Sequence, residues 1–226
     1  EKISEMIFKN TGFDSNQIFI NYCPERVLPG AIIKELVEND RVIGGITKNS
    51  SLKCKEFYQT FCKGKINLTN SKTAELVKLT ENAYRDVNIA FANELSLICD
   101  EIDIDVRELI SISNNHPRVN ILQPSCGVGG HCIAVDPWFI ADKFPNNTSL
   151  IQASRKINDN KKDWVVIKIR ETINQFQKNK NREPLIGLMG ISFKPNVEDT
   201  RESPALYIAQ KIARNYKSVF ICEPNL

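Results

Sequence analysis

Apolar and polar positions change period several times along the chain, and each change predicts an element. Ile3, Met6 and Ile7 recur at helical spacing up to Gly12, so residues 1–10 read as the end of a helix with a glycine stop. Gln17–Tyr22 reads as a buried strand running into the loop Cys23-Pro-Glu-Arg-Val-Leu-Pro-Gly30. Arg41–Gly45 is a second strand, followed by a helix at about 50–62 and a strand at about 65–69. Strands and helices alternating at this length predict an α/β layer.

The most regular stretch is 72–101, where Leu76, Leu79, Ala83, Val87, Ala90, Phe91 and Leu95 fall at helical spacing without an internal Pro or Gly. Asn70 or Ser71 can cap it, and Glu75 suits its first turn. A helix of about 30 residues is far above the usual ~11–12, and such helices join domains or form subunit interfaces. Shorter helices are expected at about 104–114 and 148–178. Near 183 the pattern returns to strand (183–190, ending in a glycine turn), polar loop to Glu202, helix (203–214) and strand (218–222), one β-α-β unit. No repeat or low-complexity tract interrupts this order.

Composition narrows the class. A net charge of +3, from 30 basic and 27 acidic residues, argues against a dedicated nucleic-acid binder. No apolar run has the ~18 residues of a membrane span. Seven cysteines, an odd number without repeated spacing, suit a reducing cytoplasm better than a disulfide framework. The start lacks a signal-peptide core, and a single β-α-β unit cannot cover a sheet, so the chain is expected to be an interior piece of a longer protein.

The segment Ser125-Cys-Gly-Val-Gly-Gly-His-Cys-Ile-Ala-Val-Asp136 carries the densest chemistry. Its glycines allow close backbone approach to a ligand. Cys132, at the expected start of the next helix, would gain thiolate character and backbone donors there. Asp136, four residues on, would lie on the same side. A glycine turn with an inert thiol fits the same spacing. Zinc bound by Cys126, His131, Cys132 and His116 is disfavoured by the lack of a Cys-x-x-Cys pair and by adjacent His131 and Cys132. A cysteine hydrolase would need His116 or His131 as base. Lys78, Asn82 and Arg85 share one helix stripe, either a solvated face or donors aimed at phosphate and sugar hydroxyls. Pro24-Glu25-Arg26, Phe193-Lys194-Pro195 and Asp199–Ser203 follow strands, where α/β sheets place ligand contacts. Arg118, after His116-Pro117, adds a cation.

Together these segments resemble the UDP-glucose/GDP-mannose dehydrogenase family. Gly127-Val-Gly-Gly-His-Cys132 with Asp136 is similar to its nucleophile loop, Lys78-Leu-Thr-Glu-Asn82 to its helix motif, and Phe193-Lys194 with Asp199-Thr-Arg-Glu-Ser203 to its C-terminal signature. Tyr22–Gly30, His116–Asn120 and Cys132–Phe139 are most similar to the branch that oxidises UDP-N-acetylmannosamine. Ile-Ala-Val-Asp replaces the Phe-x-Lys-Asp of the UDP-glucose branch.

The resemblance implies an α/β fold in three parts. These are the end of an N-terminal Rossmann-like NAD-binding domain (1–70), a long central helix with a helical dimerisation region (71–180), and the start of a C-terminal Rossmann-like UDP-sugar domain (181–226). It implies NAD as cofactor, a UDP-sugar substrate and a homodimer, in the cytoplasm, making surface-polysaccharide precursors. Cys132, Lys78, Asn82, Asp136 and Glu25 would be catalytic. Arg26, Val27, Lys78, Asn82, Arg85, His116, Arg118, Gly129, Phe193 and Lys194 would bind substrate, with His116 and Arg118 reaching a neighbouring subunit's site. Arg201 would contact NAD, and no metal is implied. One departure stands: no Gly-x-Gly-x-x-Gly links a strand to a helix. The isolated chain is therefore expected not to hold NAD tightly. The alternatives are a non-catalytic dimerisation fragment or a UDP-glucose 6-dehydrogenase.

Overall fold

The computed structural model describes residues 2–14, 17–27, 31–194 and 197–224. The chain divides inside its first long helix into two compact units, Glu1–Glu81 and Asn82–Leu226.

In the first unit, α1 (Lys2–Thr11) stops where Gly12 takes a φ of 71° and its N–H bonds to the Phe8 carbonyl at 3.0 Å. The sheet has the order β1 (Asn21–Tyr22), β2 (Arg41–Gly45), β3 (Ile66–Asn70), the first pair antiparallel and the second parallel. Between them lie α2 (Ile32–Glu38), which the apolar pattern did not reveal, and α3 (Lys48–Tyr58). Gln17–Tyr22, expected as a buried strand, contributes only two strand residues at the sheet edge. Phe19 and Tyr22 stay 41% and 37% exposed, because burial needs a second packed layer as well as β-forming residues. α3 starts earlier than expected because Thr47 accepts the Ser50 N–H at 3.0 Å, and it ends earlier as turns take over through Cys62. The central strand β2 is buried throughout, Arg41 included. Arg41 donates to the Leu36 carbonyl at 2.9 Å and stacks 4.9 Å from the Tyr58 ring centroid.

Helix α4 (Ser71–Glu101) begins directly after β3, where the Asn70 side chain accepts the Thr73 N–H at 2.8 Å. Leu76 and Phe91, two of the apolar residues at helical spacing, are 48% and 50% exposed. In the second unit the buried positions of α4 are instead Ala83, Asp86, Ala90, Ala92, Asn93, Ser96 and Cys99, three of the seven polar. The reason is the opposing helix α7 (Ser149–Lys180), which presents Arg155, Asn158 and Lys161 three residues apart. The pairs Arg155–Asp86, Asn93–Asn158 and Lys161–Ser96 bond at 2.6, 2.9 and 2.6 Å. Packing partners, not hydropathy, thus select the buried face.

The second unit also contains α5 (Val106–Ser113), capped by Asp105, and α6 (Asp136–Lys143). α7 is not short: its 32 residues exceed the 31 of α4, and it ends only where Asn181 adopts the left-handed conformation (φ 49°). β4 (Ile186–Met189) and β5 (Val219–Cys222) run parallel, joined through α8 (Pro204–Ala213), as the β-α-β pattern predicts. Val166 of α7 and Ile208 and Ile212 of α8 form the core beneath them, with Cys126 packed against it.

Candidate active site

Cys132 is exposed on the turn before α6, not on the helix as the spacing suggested. Its carbonyl accepts the N–H groups of Val135 (3.0 Å) and Asp136 (2.8 Å). The helix proper waits for Asp136, with Pro137 fitting its first turn. Cys132 and Asp136 are thus linked through one backbone turn. The Asp136 carboxylate accepts the Asn82 amide at 2.5 Å, so α4 sets its direction.

The glycines of this loop meet the protein itself. A Cβ on Gly129 would lie 2.6 Å from the Glu202 carbonyl and 2.9 Å from Phe193 Cβ. Gly130 has a φ of +82°, faces the Phe193 ring, and donates its N–H to the Arg201 carbonyl at 3.1 Å. The loop is thus clamped to the segment before α8, which places Arg201 beside Cys132. The Arg201 guanidinium bonds to Asp199 at 2.6 Å. That bond, the Arg201 N–H and, more weakly, His131 hold the Asp199 carboxyl down to about 2. Asp199 chiefly, and Cys132 in smaller part, raise the Arg201 pKa. Phe193 donates its N–H to the Asp199 carbonyl at 3.0 Å, and the Lys194 ammonium sits 5.6 Å from the Phe193 ring centroid. Pro195 lies outside the described residues.

At the loop's root the Ser125 N–H donates to Asn93 Oδ1 at 2.7 Å. The Cys126 thiol, beside the Val166–Ile212 cluster, is pushed up by burial. Cys126 and Cys132 therefore face different surroundings, and among the described residues no three His, Cys, Asp or Glu side chains gather as a metal site.

Lys78 and Asn82 are half-buried one helical turn apart on α4, and Arg85 is exposed. In the first unit, the Glu25 carboxylate accepts the N–H groups of Arg26 (2.7 Å) and Val27 (2.9 Å) and lies 3.7 Å from Arg41. Arg26 donates to Glu81 of α4 through Nε at 3.2 Å and through its terminal nitrogen. Leu28, Pro29 and Gly30 of that loop lie outside the described residues. His116 and Arg118 are exposed on the turn after α5, where the Arg118 N–H donates to His116 Nδ1 at 3.3 Å. The structure therefore joins Asn82 to Asp136, and Gly129, Phe193 and Arg201 to the Cys132 loop, while His116 and Arg118 bond to each other and, through the His116 backbone, within their own turn. Sequence reasoning missed the Asn93 anchor and the Glu81 partner of Arg26. Its one available signal was the helical spacing of Asp86, Asn93 and Ser96 within an apolar stripe.

Residues 1–62 match the NAD binding domain of the UDP-glucose/GDP-mannose dehydrogenase family, residues 72–160 its central domain and residues 187–226 its UDP binding domain. A UDP-N-acetyl-D-mannosamine dehydrogenase from Campylobacter jejuni is 51% identical over 100% of this chain and 54% of its own length. An NDP-N-acetyl-D-galactosaminuronic acid dehydrogenase from Ralstonia solanacearum is 49% identical over 100% of this chain and 52% of its own. The solved UDP-D-ManNAc dehydrogenase from Pyrococcus horikoshii superposes with a TM-score of 0.87 at 37% identity, over 97% of this chain and 53% of that one. The chain thus spans about half the length of the curated relatives it matches. Three successive domains of one family, in order along the sequence, place this chain in the UDP-glucose/GDP-mannose dehydrogenase family.

Proposed function

We propose that the protein to which this chain belongs oxidises the C6 alcohol of a UDP-N-acetylhexosamine, UDP-N-acetylmannosamine, to the carboxylate through Cys132. The observation that carries this reading is the exposed Cys132 thiol, clamped beside Arg201 and one closed turn from an Asp136 carboxylate aimed by Asn82. The UDP-N-acetylmannosamine dehydrogenases at about half identity support the choice of sugar.

NAD⁺, when bound, accepts the hydride in each of the two oxidations. The chain lacks the Gly-x-Gly-x-x-Gly turn that cradles a dinucleotide's phosphates, and Arg201 is the side chain it offers to the cofactor. Lys78 takes the proton from the C6 hydroxyl as the alcohol becomes an aldehyde. The Cys132 thiolate then adds to the aldehyde carbon as a thiohemiacetal, and loss of the second hydride leaves a thioester. Asn82 donates toward the oxyanion, and Asp136 orients the water that cleaves the thioester to carboxylate and free thiol. Glu25 steadies the loop bearing Arg26 and Val27, which with Arg85, Gly129, Phe193 and Lys194 hold the UDP-sugar. His116 and Arg118 on their exposed turn suit a neighbouring subunit's site.

A homodimer through α4 is supported by Tyr84, Phe91 and Ile98, which stand 70%, 50% and 50% exposed at intervals of seven residues. Free thiols at all seven cysteines support a reducing cytoplasm. Uronic acids made this way would enter surface polysaccharides.

The test is Cys132→Ser in the full-length protein, assayed for uronate and NADH with UDP-N-acetylmannosamine. The wild type should form two NADH per sugar and the variant no uronate. Undiminished uronate formation would remove Cys132 as nucleophile, and turnover only of the galactosamine epimer would replace the sugar.

A further inference from the structure

We infer that Asn93 is a positioning residue for the Cys132 loop, acting through the hydrogen bond its side-chain amide accepts from the Ser125 N–H. This rests on Cys132 as the reacting group proposed above.

The argument starts from a chain of buried groups with a single polarity. Arg155, 1% exposed, donates to Asp86 Oδ1 at 2.6 Å, so that oxygen can only accept. Asn158, also 1% exposed, must therefore turn its NH₂ toward Asp86, and donates to Oδ1 at 2.8 Å and to the Asp86 carbonyl at 3.0 Å. That leaves Asn158 Oδ1 facing Asn93, which donates to it at 2.9 Å. Asn93, with no exposure, then has only Oδ1 left to present, and the Ser125 N–H fills it at 2.7 Å. An amide has one donor end and one acceptor end, so the charge on Arg155 dictates the orientation of each link. A flipped Asn93 would set its NH₂ against the Ser125 N–H and its oxygen against Asn158 Oδ1, losing both bonds.

Helix geometry makes this anchor relevant to the reacting thiol. Asn82 and Asn93 are eleven residues apart on α4, about three turns, so they share a face about 16 Å apart. Asn82 holds Asp136 and Asn93 holds Ser125. One rigid helix thus grips the segment 125–136 at both ends, with Cys132 between them. Neither bond belongs to a helix or sheet ladder. The Gly130–Arg201 bond fixes the middle of the loop against the segment before α8. With root and end set by α4 and the tip by that segment, displacement of the root moves the thiol relative to Asp136 and Arg201.

The experiment uses the full-length protein with Asn93→Ala and Asn93→Asp. Read-outs are kcat, KM for the nucleotide sugar, thermal midpoint, and the rate at which iodoacetamide alkylates Cys132, followed by peptide mass spectrometry. Asn93→Ala should lower kcat by about 10- to 100-fold, the cost of misplacing a reacting group by about 1 Å, with KM little changed and the alkylation rate altered. Asn93→Asp keeps an oxygen for the Ser125 N–H in either charge state but loses its donor to Asn158 Oδ1 on ionisation. The two facing oxygens then push residue 93 and its anchor out of place, so its kcat should approach wild type at low pH and fall as pH rises, unlike the wild-type profile. A merely structural Asn93 would lower the thermal midpoint while leaving kcat per folded enzyme and the alkylation rate at wild-type values, and that result overturns the inference. Should Asn93→Ala fail to fold, the Asn93→Asp profile decides, and a profile parallel to wild type overturns it equally. Cys132→Ala run alongside separates the two readings: retained uronate formation would sink Cys132 as nucleophile, while the alkylation rate still judges Asn93.

Discussion

Arg155 and Asp86 form an ion pair whose side chains are 2% and 1% exposed, and a double-substitution cycle across it tests the polar ladder. Replacing Arg155 by Met leaves Asp86 buried without its counterion, a loss of roughly 3–5 kcal/mol in comparable settings. The Asn158 amide still donates to the carboxylate at 2.8 Å, which places the expected loss near the lower end, about 3 kcal/mol. Asp86→Leu should cost less, about 2 kcal/mol, because Arg155 keeps Asp159 as a partner. The double variant should return to within about 1 kcal/mol of wild type, since both desolvated charges are gone and Asn158 retains the Asp86 carbonyl. Coupling should therefore exceed about 2 kcal/mol. Urea unfolding followed by tryptophan fluorescence is the assay, because Trp138 and Trp164 both lie in the second unit. Burial already raises the Asp86 pKa against the pull of Arg155. Removing Arg155 raises it further, so the protonated carboxyl favours the folded state. Such stability is present below the unfolded pKa of ~3.9 and lost as pH rises through the folded value, so the deficit should shrink on acidification. Single losses that add to the double within about 0.5 kcal/mol would refute the coupling and the ladder with it.

Two other substitutions probe the loop and its supports. Gly129→Ala would set a Cβ 2.6 Å from the Glu202 carbonyl and 2.8 Å from Pro204 Cδ, so about 1–3 kcal/mol should be lost and Cys132 displaced. Unchanged thiol reactivity and unchanged urea midpoint in that variant would show that the clamp is looser than it looks. Lys161, 4% exposed and bonded to Ser96, has its ammonium pKa lowered to about 8 by burial, with Asp100 opposing. The unfolded chain then binds more protons between about 8 and 10.5, so wild type should gain stability over Lys161→Met as pH rises through that window. A difference independent of pH would contradict this.

The residue pattern by itself determined most of the helices, the parallel β-α-β unit and the family motifs. These depend on local properties: the Asn70 cap of α4, the absence of Pro and Gly for 31 residues, the Ser203 cap before Pro204. It also named the groups that converge, because Asn82, Asp136, Gly129, Phe193 and Arg201 lie in motifs with fixed spacing. It could not say what those glycines face. Spacing alone suggested a ligand, whereas the Cβ side of Gly129 and Gly130 faces Phe193, Glu202 and Pro204. Nor could it say which face of α4 is buried. Hydropathy favoured Leu76 and Phe91, but α7 brings Arg155, Asn158 and Lys161, and a buried polar group is stable only opposite a partner distant in sequence. Cys132 likewise moved from the expected helix start to the turn before it. That position is set by long-range bonds to Asn93 and Arg201, which no local signal encodes. Local propensity therefore fixes where elements form, while the pairing of groups more than thirty residues apart decides which of their faces meet and where the thiol is held.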